Sequence, residues 1–206
     1  MDLAAPIASV FAAVGLSAAA GLNAYLPLLM GAVLERLDVV ELGDPFGALS
    51  SNAGIAVLAV LLLADLVGDK IPGVDHVLHL AGVVIAPIAG AILFVGQTGI
   101  ETGIPAAVAA ILGAATAETL HGARASVRPA STASTAGIGN PVLSLGEDVA
   151  ALALTILAFA LPLLALLLAL ALLAGVVAVA GRFRSGRPRR SQGGAAGGLP
   201  PPGGTT

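Results

Sequence analysis

The sequence has no cysteine, no tryptophan and a single tyrosine. The absence of cysteine excludes disulfide bridges, thiolate metal sites and cysteine nucleophiles. The lack of tryptophan removes the aromatic belt that membrane proteins commonly place at the lipid–water interfaces. Charged residues make up only 10% of the chain, against about a quarter in ordinary globular domains. The formal net charge of -3 gives no basis for nucleic-acid binding.

Long apolar runs are the main feature that is present. Hydrophobic residues account for 57% of the chain, and the mean hydropathy is +1.01. Leu3–Leu34 and Val149–Ala180 contain no charged side chain, and each is 32 residues long. A helix needs only about 20 apolar residues to cross the hydrocarbon core of a bilayer. The chain is therefore expected to be an integral membrane protein surrounded by the lipid bilayer.

Helices are the expected elements, because backbone groups in lipid must hydrogen-bond within their own segment. We predict an all-α polytopic transmembrane helix bundle with about five spans, from the hydrophobic segments Leu3–Leu34, Ala53–Gly68, Val77–Gly96, Ile104–Leu120 and Gly146–Ala180. Gly21, Asn23 and Pro27 lie close together and are expected to break the first segment into two half-helices or a re-entrant pair. The last segment has no polar turn, so it is expected to form one long helix bent at Pro162.

Basic residues predict the orientation. With five spans, one side holds Arg36 together with a cluster after the last span, formed by Arg182, Arg184, Arg187, Arg189 and Arg190. The other side holds Lys70, Arg124 and Arg128. The positive-inside rule therefore predicts a multi-pass protein of the cell membrane, with its N-terminus outside and its C-terminus cytoplasmic.

The chain is expected to have two parts. Residues 1–181 form the transmembrane helical domain, and residues 182–206 form a disordered cytoplasmic tail rich in arginine, glycine and proline. The arginines of the tail would attract anionic lipid. Whether copies of the chain associate into a homo-oligomer stays open.

Two polar segments interrupt the apolar chain, Asp65–His79 and Glu118–Asp148. The third and fourth spans separate them, so both segments face the same side of the membrane. The spans before Asp65 and Glu118 are shorter than the roughly 20 residues that a crossing needs, so both carboxylates are expected within or just below the headgroup region. A charge inside the membrane costs at least about 2.5 kcal/mol. Such charges are expected to serve a function or to pair helices.

The polar segments supply the candidate residues for binding an ion or a substrate: Asp65, Asp69, Lys70, Asp75, Glu118, His121, Arg124, Arg128, Asn140, Glu147 and Asp148. Asn23 and Tyr25 are expected to line a cavity at the break in the first segment. Lys70 is the expected counter-ion of Asp65 or Asp69, and Arg124 that of Glu118. Carboxylates outnumber fixed cations among the candidates, which favours a proton or a metal cation over an anion.

Several candidates also have a structural interpretation. Ser144 and Glu147 match a capping box for the last helix. The negative charge of Asp148 would be stabilised by the positive end of the same helix dipole. Asp75 would cap the N-terminus of the third span. The positive charge of Lys70 would be stabilised by the negative end of the helix dipole of the second span. These alternatives stay open beside a role in binding.

Metal binding also stays undecided. His76 and His79 lie three residues apart and could share a metal ion. Glu118 and His121 have the spacing found in di-metal sites of helical bundles, but a complete site needs that motif twice and two further glutamates. No cofactor is predicted.

Five stretches in this order resemble a bacterial membrane family, the domain-of-unknown-function 4126 family: Gly21–Leu29, Asp69–Asp75, His121–Gly122, Ser131–Pro141 and Glu147–Asp148. The resemblance covers Leu3 to Ala180, and its Asp-Lys-Ile-Pro-Gly-Val-Asp and Gly-Asn-Pro motifs are specific in combination. It implies a small multi-pass helical protein and brings no established activity, substrate or cofactor. His79 departs from the acidic residue that the family pattern leads us to expect.

Three functions fit these residues. A small permease-like transporter would use Asp65, Asp69 and Glu118 to take up a proton or a cation. A structural or assembly protein would use the same charges only to pair helices. An intramembrane metal-dependent hydrolase would use Glu118, His121 and the aspartates, but the sequence has no Ser-His-Asp order and no HExxH motif. An enzyme is therefore the least supported of the three.

Overall fold

The computed structural model describes residues 3–68, 70–71, 74–99, 102–135 and 139–185. These residues form helices and no strands, and the helices are α1 Ala4–Leu22, α2 Tyr25–Arg36, α3 Phe46–Leu49, α4 Asn52–Gly68, α5 Val74–Thr98, α6 Ala106–Thr135, α7 Asn140–Ala160 and α8 Pro162–Ser185. Five of them, α1 and α5 to α8, contain an apolar stretch long enough to cross a membrane, and α4 is a shorter apolar helix. The structure therefore confirms the predicted all-α transmembrane bundle.

α1 is the central helix of the bundle. Nearly all of its residues from Ala12 to Leu22 are buried. Most of them are alanine, glycine or serine, and such small side chains let neighbouring helices approach closely in a membrane. A Cβ atom on Gly15 would lie only 2.7 Å from Ala165 Cβ in α8, and Ser17 Oγ donates a hydrogen bond of 3.0 Å to the Gly90 carbonyl in α5. The composition of α1 thus allows α5 to α8 to pack around it.

The first hydrophobic segment is broken at Asn23, as the sequence predicted. α1 ends at Leu22, and α2 begins at Tyr25. α2 runs back toward the end of the bundle where α5 ends, because the loop that follows α2 is attached there: the Gly43 N–H donates a hydrogen bond of 2.8 Å to the Gly96 carbonyl. α1 and α2 therefore form a hairpin inside the bundle.

The last hydrophobic segment also folds into two helices, and the prediction of one long bent helix is wrong. α7 ends at Ala160, and α8 begins at Pro162. The Leu161 carbonyl between them accepts the N–H groups of Leu164 and Ala165, at 2.9 and 3.2 Å. Proline at the first helical position has no N–H that needs a partner. The chain can therefore turn here without any polar side chain.

α8 runs antiparallel to α7. Ala151 of α7 and Ala169 of α8 belong to one buried cluster. Farther from the turn, Val142 of α7 and Val176 of α8 line one groove. The second pair is farther from Leu161 than the first, on both sides of the turn. This is the contact pattern of a helical hairpin. The segment supplies two spans.

α6 and α7 both extend into the predicted polar segment. α6 continues to Thr135, and α7 begins at Asn140. Ser144 and Glu147 therefore lie inside α7, and the predicted capping box is wrong. Asp148 lies about two turns inside the helix, too far from its N-terminus for the helix dipole to explain its place.

The two hairpins define two ends of the bundle. We name as the polar end the one that holds the α1–α2 break, the end of α4 and the start of α7. The opposite end holds the start of α1, the α2–α4 loop and the α7–α8 turn. Arg36 lies at the opposite end, whereas Arg124 and the last turns of α8 lie at the polar end. This corrects the predicted grouping, in which Arg36 shared a side with the residues after the last span.

The predicted tail falls mostly outside the part of the chain that the structure describes. α8 continues through the predicted boundary at residue 181 and ends at Ser185. Residues 186–206, with Arg187, Arg189 and Arg190, lie outside the described residues. The division at residue 181 therefore stays a prediction.

Gly113→Ala is expected to destabilise the bundle. α5 and α6 touch through Gly90 and Gly113, and a Cβ atom on Gly113 would overlap the Gly90 carbonyl. Relieving this overlap separates the two backbones and is expected to lower the free energy of unfolding by about 1–3 kcal/mol. The thermal unfolding midpoint of the purified protein in detergent measures the change. Gly122→Ala is the matched control in the same helix, because a Cβ there meets no atom within 4 Å. Equal midpoints for the two variants would contradict this packing.

Candidate functional site

One amide group joins two carboxylates at the polar end. Asn23 Nδ2 donates hydrogen bonds to Asp65 Oδ2, at 3.2 Å, and to Asp148 Oδ1, at 2.9 Å. Asp65 lies near the end of α4, and Asp148 lies inside α7. Asn23 itself is only 2% exposed. Residues more than a hundred positions apart in the chain thus meet at the break between α1 and α2.

The helix break explains why asparagine suits this position. Asn23 Oδ1 accepts the N–H groups of Tyr25 and Leu26, both at 3.1 Å. These N–H groups begin α2 and have no partner within the helix. The oxygen of the amide therefore caps α2 while its nitrogen binds the carboxylates. Since an amide nitrogen carries two donors, the whole donor capacity of Asn23 is used by Asp65 and Asp148.

Arg124 of α6 connects three further groups. Its Nη1 donates to Glu147 Oε2 of α7, at 3.0 Å, and to the Leu22 carbonyl at the end of α1. Its Nη2 donates to His121 Nδ1, at 3.3 Å. Because a guanidinium has only donors, Nδ1 is the acceptor in this contact. Arg124 thus ties the end of α1 to α6 and α7.

His121 owes its position to a glycine on the facing helix. The side chain is 1% exposed, and its ring lies directly against Gly82 of α5. A Cβ atom on Gly82 would lie 2.5 Å from His121 Cε1 and 3.3 Å from Nε2. Gly82 was not among the predicted site residues, because nothing in an apolar span marks one glycine as the neighbour of a distant histidine.

We use the name polar cluster for Asn23, Asp65, His121, Arg124, Glu147 and Asp148. A small cavity beside it has a volume of about 30 Å³, more than the roughly 10–15 Å³ that a buried water molecule needs. Tyr25 lines this cavity together with four members of the cluster, Asn23, Asp65, His121 and Arg124. The cavity has room for water or for a small ion.

Glu118 and Lys70 form no hydrogen bond with the polar cluster among the described residues. Glu118 lies one turn before His121 on α6, and its Oε2 is buried with no hydrogen-bond partner among the described residues. Arg124 pairs with Glu147, so the predicted Arg124–Glu118 pair is wrong. Lys70 is exposed, and its Nζ donates to the Leu66 carbonyl at 2.6 Å.

The remaining candidates are placed only in part. Asn140 begins α7, about two turns before Asp148. Asp69 lies outside the described residues. Asp75, His76, His79 and Arg128 lie in helices, but the structure does not describe their side chains. Within the described residues, no group of three or more histidine, aspartate or glutamate side chains is placed to hold a metal ion. The hydrolase hypothesis therefore gains no support there.

The fold is that of a small integral membrane protein with several helices long and apolar enough to span the bilayer. The chain matches the family described as "Domain of unknown function (DUF4126)" over residues 10–182. It therefore belongs to this family, as the motifs around Asn23, Lys70 and Asn140 led us to expect. No curated protein and no solved structure gives a significant match.

Gly82→Ala is expected to displace the His121 ring and to break its contact with Arg124. The added methyl group would occupy the position of the ring, so the unfolding midpoint in detergent should fall. In a His121→Ala background the same substitution has nothing to displace and should cost little. Gly146→Ala in α7, where a Cβ meets no atom within 4 Å, is the control. A penalty for Gly82→Ala that is unchanged without the histidine would show that the ring is not the obstacle.

Proposed function

We propose that this protein is a small permease-like transporter whose polar cluster takes up a proton or a small cation. The observation that carries the proposal is the position of Asn23, at a break in the central helix, between the carboxylates of Asp65 and Asp148. Transporters commonly form their ion sites where a discontinuous helix meets polar side chains inside the membrane. Charged side chains at such depth are costly and usually serve a function.

The charges of the cluster support a proton or a cation as the ligand. Asp65 and Asp148 share one donor nitrogen, and two carboxylates held together repel each other when both are charged. A proton or a small cation between them removes that repulsion. The small cavity beside the cluster suits a ligand of this size.

The depth of the cluster supports the same function. α6 continues for eleven residues beyond Arg124, about 16 Å of helix at 1.5 Å per residue. α7 likewise begins about two turns before Asp148. The cluster therefore lies below the ends of α6 and α7, and its side chains are buried or partly buried. A proton or an ion that reaches it has to leave water and enter the bundle.

We propose further that the polar end faces the cytoplasm of a cell membrane. In the described residues this end carries five basic residues against only Arg36 at the opposite end, and these are Lys70, Arg124, Arg128, Arg182 and Arg184. By the positive-inside rule, the side with more arginine and lysine is cytoplasmic. The N-terminus then lies outside, and Arg182 and Arg184 in the last turns of α8 lie where anionic lipid attracts them.

The transport function is tested by flux measurements in liposomes that hold the purified protein and a pH-sensitive dye. Wild-type protein should carry protons, or Na⁺ or K⁺ measured by ion-selective dyes, when a gradient is imposed. Asp65→Asn and Asp148→Asn should each lower the flux at least about tenfold, because loss of an ion-binding carboxylate removes a whole charge interaction. Asp38→Asn on the exposed loop after α2 is the matched control. Absence of any flux, or wild-type flux in both cluster variants, would contradict the proposal.

A structural role is the second candidate, and Arg124 is the observation that favours it. Its bonds to Glu147 and to the Leu22 carbonyl tie together three helices. If the charges only pair helices, Arg124→Glu should lower the amount of folded protein, and the double variant Arg124→Glu, Glu147→Arg should restore part of it. Under this function Asp65→Asn should also lower the folded amount. Size-exclusion chromatography of equal membrane fractions measures these amounts.

A further inference from the structure

An apolar groove runs between α7 and α8 near the polar end. Its volume is about 250 Å³, far more than the 30 Å³ of the cavity beside the polar cluster. Apart from Arg124 and Glu147, the residues that line it have aliphatic side chains or none, and they include Leu22, Leu120, Val142, Ala150, Leu172 and Val176. The groove can therefore hold part of a hydrocarbon chain.

The two charged residues of the groove wall neutralise each other. Arg124 Nη1 and Glu147 Oε2 form an ion pair at 3.0 Å, and each side chain is only 15% exposed. A charged headgroup placed inside the groove would have to compete with a bond that is already made. The interior of the groove thus suits an uncharged chain, and any charge of the ligand has to lie outside it.

The groove lies on a surface of the bundle that faces lipid. Val142 on its wall is 72% exposed, and Val149 of α7 and Val177 of α8 are each 59% exposed. Both helices are long and apolar enough to cross a membrane, so their exposed apolar sides face acyl chains rather than water. The molecule that meets this groove in the bilayer is therefore a lipid.

The groove has the depth of one leaflet. The apolar stretch of α8 runs from Pro162 at the opposite end to Val179 near the polar end, and Leu172 lies close to its middle. Arg182 follows Leu172 by ten residues, about 15 Å along the helix. Half of a hydrocarbon core of about 30 Å has the same length. A lipid chain that reaches Leu172 thus has its headgroup at the level of Arg182.

The charges beyond the groove favour an anionic headgroup. From the groove to the polar end, α6, α7 and α8 carry no carboxylate and three arginines, Arg128, Arg182 and Arg184. Arg182 is exposed. At about 100° per residue, Arg182 and Arg184 occupy positions on the two sides of the helix face that carries Leu172 and Val176. Arginines at this level attract anionic lipid.

We propose that this groove binds one acyl chain of an anionic phospholipid from the leaflet at the polar end, with the phosphate of its headgroup beside Arg182. The contact has a fixed place and a stoichiometry of one, unlike the general attraction of basic residues for anionic lipid. It goes beyond the proposed transport function and does not require it, because no proton or cation has to bind the polar cluster.

Native mass spectrometry of the delipidated protein in detergent tests the proposal. Dioleoyl phosphatidylglycerol and dioleoyl phosphatidylcholine are titrated separately, because they share their acyl chains and differ in the net charge of the headgroup. The first phosphatidylglycerol should bind at least about tenfold more tightly than the first phosphatidylcholine, since only the anionic headgroup gains from the arginines.

Gly146→Leu tests the groove, because Gly146 is part of its wall. A Cβ atom there meets no atom within 4 Å, so the larger side chain fills the groove without displacing a helix. Binding of phosphatidylglycerol should weaken about tenfold. Gly175→Leu in α8 is the matched control and should bind as wild type, because Gly175 is equally open and lies outside the groove wall.

The double variant Arg182→Gln, Arg184→Gln tests the headgroup contact. It should weaken the binding of phosphatidylglycerol about fivefold and leave the binding of phosphatidylcholine unchanged, because only the anionic headgroup loses its partners. Arg36→Gln at the opposite end is the control and should bind both lipids as wild type does. Unfolding midpoints show whether each variant is folded. If Gly146→Leu does not fold, the arginine variant still decides the question, because it lies beyond the apolar stretch of α8.

Three results would overturn the proposal: equal affinity of the wild type for the two lipids, wild-type affinity in Gly146→Leu, or unchanged lipid selectivity in the arginine variant. The same spectra test a second copy of the chain as the occupant of the groove. A lipid-free dimer that Gly146→Leu converts into a monomer would assign the groove to that copy and would also overturn the proposal.

Discussion

The structure depends on one side chain at the end of its central helix. Asn23 stops α1, caps α2 and joins the carboxylates of Asp65 and Asp148. Only a carboxamide can do all three, because it presents an acceptor and two donors on one short side chain. Aspartate would cap the helix but could not donate, and leucine could do neither. The break, the hairpin that follows it and the polar cluster therefore have a common cause.

The two hairpins give the bundle two chemically different ends. At the polar end, partly buried acidic groups lie between helices beside a small cavity. At the opposite end, a larger cavity is bounded by an acidic loop and by Gln97. α1 connects the two ends, and its small side chains let four helices pack tightly between them. Between the two ends, α1 packs closely against α7 and α8 at Gly15 and against α6 at Gly21.

The sequence was sufficient for the helices and for the break at Asn23, because both follow from hydropathy and helix chemistry. It was not sufficient for the α7–α8 turn, whose backbone groups are satisfied at Leu161 without a polar residue. The sequence also did not predict that Arg124 pairs with Glu147. Glu118 lies six positions before Arg124, so the two face different sides of a continuous helix, but the sequence predicted that helix to end at Leu120. The contact between Gly82 and His121 depends on which side of α6 faces α5. Only the packed structure shows which side that is.

Exchange of the two partners at positions 23 and 148 tests the central interaction most directly. Asn23→Asp brings a third carboxylate to the break, and Asp148→Asn removes an acceptor from the Asn23 amide. In the double variant, the amide introduced in α7 can donate to the carboxylate introduced at the break, and that carboxylate still caps α2. The account predicts that the double variant has a higher unfolding midpoint in detergent than Asn23→Asp alone. A double variant whose loss of stability equals the sum of the losses in the two single variants would contradict it.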